Sequence, residues 1–174
     1  MIEVVQVLDE RQYQQVLAIR RQVFVEEQGV PAELEIDAHE SEATFFLALR
    51  DGEPLGTGRF RVKGPVLKFE RIATLHVARG LGVGSALMRR MEDDGARMHP
   101  RHLQYMHAQA SAVPFYLKTG WEKVGAPFYE AGIEHFVMIK PPTSRDDLAR
   151  LLYQDAADGN EAVRARLAAL LRQV

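Results

Sequence analysis

Arg79-Gly80-Leu81-Gly82-Val83-Gly84 separates a run that reads as a strand from a run that reads as a helix. Three glycines at every second position let the backbone turn sharply. They also let its N–H groups face a ligand with no side chain between. A helix starting at Gly84-Ser85 adds its own unpaired N–H groups and the positive end of its dipole. Such a loop is a cradle for a pyrophosphate, and its neighbours decide which one. A nucleoside-triphosphate loop needs a lysine and then Ser or Thr after the last glycine. Here Ser85-Ala86 follow, which removes that reading. A dinucleotide fingerprint needs G-x-G-x-x-G/A with an acid about 20 positions on. Gly80 and Gly82 fit, but Ser85 stands third and Gln104 lies near the acid's place.

Outward from the loop, periodicity predicts a long strand over 66–77 before it and a helix over 84–98 after it, with Leu87, Met88 and Met91 inward. Upstream, residues 2–8 read as a strand. Residues 10–22 read as a helix with Val16, Ile19 and Val23 on one side, and 26–42 as an acidic irregular stretch broken by Gly29 and Pro31. Strands over 44–49 and 54–62 join at Asp51-Gly52, a hairpin signal. Downstream come a strand over 103–109, a short helix over 113–119 stopped by Gly120, and strands over 121–124 and 135–140. The order β-α-β-β-β-α-β-α-β-β mixes hairpins with crossovers. It predicts an α/β (α+β) fold with a mixed sheet flanked by helices.

Pro141-Pro142 marks a boundary between a body over 1–141 and an extension over 142–174. The extension reads as two amphipathic helices, near 144–156 and 161–173. Ser144 and Asp147 form a capping box, and Asp158-Gly159-Asn160 makes the turn. Leu148, Leu151, Leu152, Leu167, Leu170 and Leu171 form apolar stripes that must bury on the body or across a homodimer.

The 174 residues suffice for one ordinary core, and a net charge of −2 offers no electrostatic case for nucleic acid or an anionic membrane. No apolar run reaches membrane-spanning length, and no leader is visible at Met1. With no cysteine, disulfides, thiolate metal sites and a cysteine nucleophile are excluded, and a cytoplasmic setting is expected. The six histidines include His102 and His107, which a strand sends to opposite faces, and no metal motif appears, so no metal is expected.

A third reading of the loop is the pattern Q/R-x-x-G-x-G/A, met by Arg79, Gly82 and Gly84. Further on, Gln109-Ala110-Ser111-Ala112-Val113-Pro114-Phe115-Tyr116-Leu117-Lys118-Thr119-Gly120-Trp121 resembles the stretch N-x-x-A…(F/L)Y-x-K-x-G-(F/W). Together the two resemble the GNAT superfamily of acetyl-CoA-dependent acyltransferases. The segments 20–31, Glu35-Ile36-Asp37, 67–72 and 131–135 resemble its ElaA/YjcF branch. Autoinducer synthases share the R-x-x-V-F segment and the nearby E-x-D, and rank lower because they usually lack the clean glycine loop.

The resemblance implies a GNAT-type, mostly antiparallel twisted sheet and direct attack of an amine on acetyl-CoA, without a covalent intermediate. It implies CoA contacts from Ile72, Ala73 and Thr74, from Arg79, Gly80, Leu81, Gly82, Val83, Gly84 and Ser85, and from Gln109, which stands where the family carries Asn. It implies Tyr116 as the general acid. Glu70 is the candidate base, against an ion pair with a neighbour such as Arg71 or Lys68 as its alternative. The acidic run Glu26, Glu27, Glu33, Glu35, Asp37 and Glu40 falls on the acceptor side and would attract a cationic amine, small or protein-borne. The competing function is a CoA-binding regulator without catalysis.

Overall fold

The computed structural model describes residues 1–157 and 159–174. Asp158 of the expected turn therefore lies outside the described residues. The chain forms two compact units, one of residues 1–61 with 69–94 and one of 62–68 with 95–174.

In the first unit, β1 (Glu3–Gln6), β2 (Thr44–Arg50) and β3 (Glu53–Lys63) form an antiparallel meander. Asp51 and Gly52 both take positive φ, +52° and +83°, as the expected two-residue hairpin requires. Helix α1 (Glu10–Arg20) is capped by the Asp9 carboxylate, which accepts from the Gln12 N–H. It does not stop near 22. Its turns widen into a π segment over Arg21–Glu27. Val23 thereby joins Val16 and Ile19 against Phe45, Leu47 and Ala73. The stretch expected to be irregular holds a one-turn helix, α2 (Ala32–Glu35), and a 3-10 turn at Glu40–Glu42.

Strand β4 (Val66–Thr74) ends three residues before the predicted 77. The Leu75 N–H donates to Leu55 O at 2.9 Å, and His76–Ala78 wind into a 3-10 turn that leads to the glycine loop. Helix α3 (Val83–Met98) comes next, one residue earlier than expected, with Leu87, Met88 and Met91 fully buried. Gly56 of β3 permits this approach. A Cβ there would stand 2.7 Å from Val83 Cγ1, 3.0 Å from Leu87 Cδ1 and 3.1 Å from Ala73 O.

The second unit contains β5 (Leu103–Gln109), α4 (Val113–Leu117), β6 (Glu122–Glu130) and β7 (Ile133–Lys140), with β7 antiparallel to both β5 and β6. Strand β6 is longer than predicted. Its register shifts between Val124 and Phe128, around Gly125 at φ +78°. A bulge with a proline at its end hides the period-two pattern. Ala131 and Gly132, at φ +50° and +74°, close a β6–β7 hairpin that periodicity alone does not predict.

Helices α5 (Arg145–Tyr153) and α6 (Glu161–Leu171) are capped by Ser144 and Asn160. Leu148, Leu151, Val163 and Leu167 bury against Val66, Leu103, Tyr105, Val124, Val137 and Ile139. Leu152, Leu170 and Leu171 of the stripes pack against the same core and stay half-buried. The seven strands run β1-β2-β3-β4-β5-β7-β6 in one mixed sheet, in agreement with the expected α/β class.

Candidate active site

The glycine loop sits in the first unit. Gly80 and Gly82 take φ +80° and +85°, and a Cβ at either would meet nothing within 4 Å. Both positions need the left-handed region that glycine enters freely, and both leave open space. The first N–H groups of α3 have no partner inside the helix, so the loop has the donors and the room that a pyrophosphate needs. Arg79 is exposed and bound to Glu27 at 2.7 Å, with His76 Nδ1 at 3.2 Å. Ala73 is buried, while Ile72 and Thr74 are half-buried at the end of β4.

Immediately before them β4 breaks step. The Phe69 ring packs on Phe60, and Phe60 packs on Phe46. Gly58 is paired with Phe46, and a Cβ on Gly58 would meet Ile72 Cγ1 at 3.3 Å. Phe69 and Ile72 therefore share a face although they are three apart. Between them, Glu70 and Arg71 both reach the opposite face, where Arg59 sits beside Phe45. Two successive side chains on one face mark a bulge, and Arg71 carries it at φ +55°.

On that face lies a partly buried cluster of four arginines and four carboxylates. Arg20 and Arg59 are completely buried. Arg20 binds Glu35 through Nε and Glu40 at 2.6 Å. Arg59 binds Asp37 at 2.7 Å and Glu40 at 3.0 Å. Burial disfavours the charge of Asp37, but the Arg59 hydrogen bond outweighs this and holds its carboxyl well below the usual range. Burial also pushes the Tyr13 phenol up, to about 12, aided by its 2.8 Å hydrogen bond to Glu40.

Two expectations change here. Glu70 is ion-paired, with Arg61 at 2.5 Å and Arg59 at 3.4 Å. The acidic run is not an open field for a cationic amine, because Glu35, Asp37 and Glu40 are neutralised by Arg20, Arg59 and Arg71. The period-two reading of β3 hid these partners, since Arg59 and Arg61 occupy inward positions where apolar residues are expected.

The second unit holds Gln109 and Tyr116. Gln109 is half-buried at the end of β5, paired in register with His135. Tyr116 is buried on α4, its ring 5.1 Å from Phe115 and 6.5 Å from Trp121. Burial pushes its phenol well above the ordinary tyrosine value. The fold also assembles a chain of groups that sequence reasoning missed. Tyr105 Oη lies 3.1 Å from His107 Nε2, and His107 Nδ1 lies 2.7 Å from Glu130 Oε1. Only the unexpected length of β6 brings Glu130 there. Among the described residues no three His, Asp or Glu side chains gather as a metal-binding group, and no helix is long and apolar enough to cross a membrane.

Residues 7–142 match the family model described as an acetyltransferase (GNAT) domain. The chain is 39% identical over 137 residues to the Bacillus subtilis protein named uncharacterized N-acetyltransferase YjcF, covering 76% of this chain and 94% of that one. An acyl-CoA N-acyltransferase from Pseudomonas aeruginosa is 26% identical, with a TM-score of 0.72 over 80% of this chain and 99% of its own. Escherichia coli ElaA shares the fold, with a TM-score of 0.71 and 24% identity over 79% of this chain and 99% of its own.

Proposed function

The chain belongs to the GNAT acetyltransferase family, to its ElaA/YjcF type, and from that premise we propose that it moves an acetyl group from acetyl-CoA to a primary amine, with Tyr116 as general acid. One observation carries the reading. The loop at Gly80 and Gly82 is left-handed, open on its outer side and placed at the start of a sixteen-residue helix. That is what a pyrophosphate needs from a backbone. A Pseudomonas aeruginosa structure of the same fold is described as an acyl-CoA N-acyltransferase, which supports CoA as the pyrophosphate-bearing partner.

In this reading the N–H groups of 80–85 hold the pyrophosphate, and backbone groups of Ile72, Ala73 and Thr74 hold the pantetheine arm. Gln109 supplies an amide that can both donate and accept. The chemistry is acyl transfer by direct attack, with which the absence of cysteine agrees. The residues must align the amine with the thioester and manage two protons. A phenol is protonated at neutral pH, as a proton donor to the departing thiolate must be, and burial pushes that of Tyr116 higher still. A water chain takes the amine proton, or Glu70 does so against the pull of its ion pairs with Arg61 and Arg59.

Isothermal titration with acetyl-CoA tests the first half of the reading, and absence of heat ends it. For the second half, Tyr116→Phe should lower thiol release with an accepted amine by about 10²–10⁴-fold while acetyl-CoA affinity stays the same. Equal loss of affinity and rate would make Tyr116 a packing residue.

A further inference from the structure

Arg71 stands in a conformation that costs any residue with a Cβ. Its φ is +55°, in mid-strand, and the residue is not glycine. Such conformations persist only where the surroundings hold them. Here the holders are visible. The Arg71 guanidinium donates through Nε to Glu35 O at 3.2 Å and through Nη2 to Asp37 Oδ2 at 3.2 Å. Asp37 is itself fixed, by Arg59 at 2.7 Å and 3.1 Å and by the His39 N–H at 3.0 Å. Glu35 is fixed by Arg20, which binds both its carboxylate and its carbonyl. The segment around α2 is therefore a rigid anchor, and its hold on β4 falls on the residue that carries the bulge.

The bulge determines which way the next three residues face. It puts Glu70 and Arg71 on one face, so Ile72 returns to the face of Phe69 and Ala73 to the side of Phe45 and Leu47. With Arg71 in ordinary extended geometry, Ile72, Ala73 and Thr74 would rotate by one position. Every N–H and C=O in that stretch would then point the other way.

We infer that Arg71, clasped by Asp37 and the Glu35 carbonyl, is a positioning residue that sets the direction of the Ile72–Thr74 backbone for acetyl-CoA. This rests on the proposed acetyl-CoA function. The segment taken in the sequence as an acidic lure for the acceptor acts instead as the anchor of the strand that binds the other substrate.

The test is titration of acetyl-CoA into the full chain and three variants, with amide hydrogen exchange of residues 72–74 in the unliganded proteins. Arg71→Ala removes the clasp and keeps the conformational cost. The binding-competent backbone becomes rarer, and affinity should fall about 5–30-fold. Arg71→Gly also removes the clasp but adopts φ +55° freely, and should stay within about threefold of the native protein. Asp37→Asn loosens the anchor without touching the strand and should weaken binding in the same direction as Arg71→Ala. Exchange at 72–74 should rise in Arg71→Ala and Asp37→Asn and stay near native in Arg71→Gly. Native affinity in Arg71→Ala, or equal weakness in Arg71→Gly and Arg71→Ala, overturns the inference. Failure of the native protein to bind acetyl-CoA overturns the functional reading instead.

Discussion

Gly56→Ala should loosen the junction of β3, β4 and α3 far more than one methyl group suggests. The new Cβ would stand 2.7 Å from Val83 Cγ1, 3.0 Å from Leu87 Cδ1 and 3.1 Å from Ala73 O. Val83 is stiff at χ1, and the carbonyl of Ala73 is backbone, so neither can step aside by rotating a flexible end. Overpacking of this kind costs about 2–3 kcal/mol, at the upper end of the usual range. Replacing glycine returns about 0.4–1 kcal/mol by restricting the unfolded chain. The net loss is therefore about 1–2.6 kcal/mol, a fall in Tm of about 2–10 °C for a chain of this size. Gly58→Ala is the internal control. Its Cβ would come as close, 2.7 Å, but to Met91 Sδ on a side chain with rotatable bonds to spare. The assay is thermal and urea unfolding of both variants, with acetyl-CoA titration at a temperature where both are folded. Gly56→Ala should be the less stable and the weaker binder, because its Cβ would press on Val83 and on the backbone carbonyl of Ala73, whereas that of Gly58 would reach Ile72 only at its side chain, 3.3 Å away. A Gly58→Ala variant less stable than Gly56→Ala, or a Gly56→Ala melt within 1 °C of native (about the resolution of the assay), refutes the reasoning.

Gly82→Ala adds a methyl group into open space but at φ +85°. It should cost about 1–2 kcal/mol of stability and reduce acetyl-CoA affinity at least about tenfold, read by unfolding and titration side by side. Leu167 is completely buried in the second unit's core. Leu167→Ala should cost about 2–5 kcal/mol, while the half-exposed Leu117→Ala should cost under about 1 kcal/mol, both by urea unfolding. Tyr13 should ionise near pH 12 rather than 10, seen as the near-ultraviolet step that Tyr13→Phe removes. Its folded value is raised, so its contribution to stability is complete below pH 10 and fades as pH rises toward 12.

Local rules of glycine geometry, capping and periodicity make the loop, the capped C-terminal helices and the inward methionines of α3 legible in the sequence, and each appears close to its expected place. What stayed hidden depends on pairings distant in the chain. Arg20, Arg59 and Arg61 occupy buried positions that pattern rules reserve for apolar residues, and only the fold brings Glu35, Asp37, Glu40 and Glu70 to them. The β4 bulge at Arg71 has no glycine or proline to announce it. The length of β6 was masked by Gly125 and Pro127, and with it the Glu130 partner of His107.

The core of the second unit also has a meaning in time. It joins Val66 and Leu103 to Leu148 and Leu167, so a strand made early waits for a helix made late. The first unit has all its residues once Asp94 has left the ribosome. The second must wait for the rest, several seconds to over ten at ordinary rates of synthesis. During that interval Leu103, Tyr105, Val137 and Ile139 are made before the helices that cover them. Until α6 is made, that apolar face lacks the helix that completes its cover.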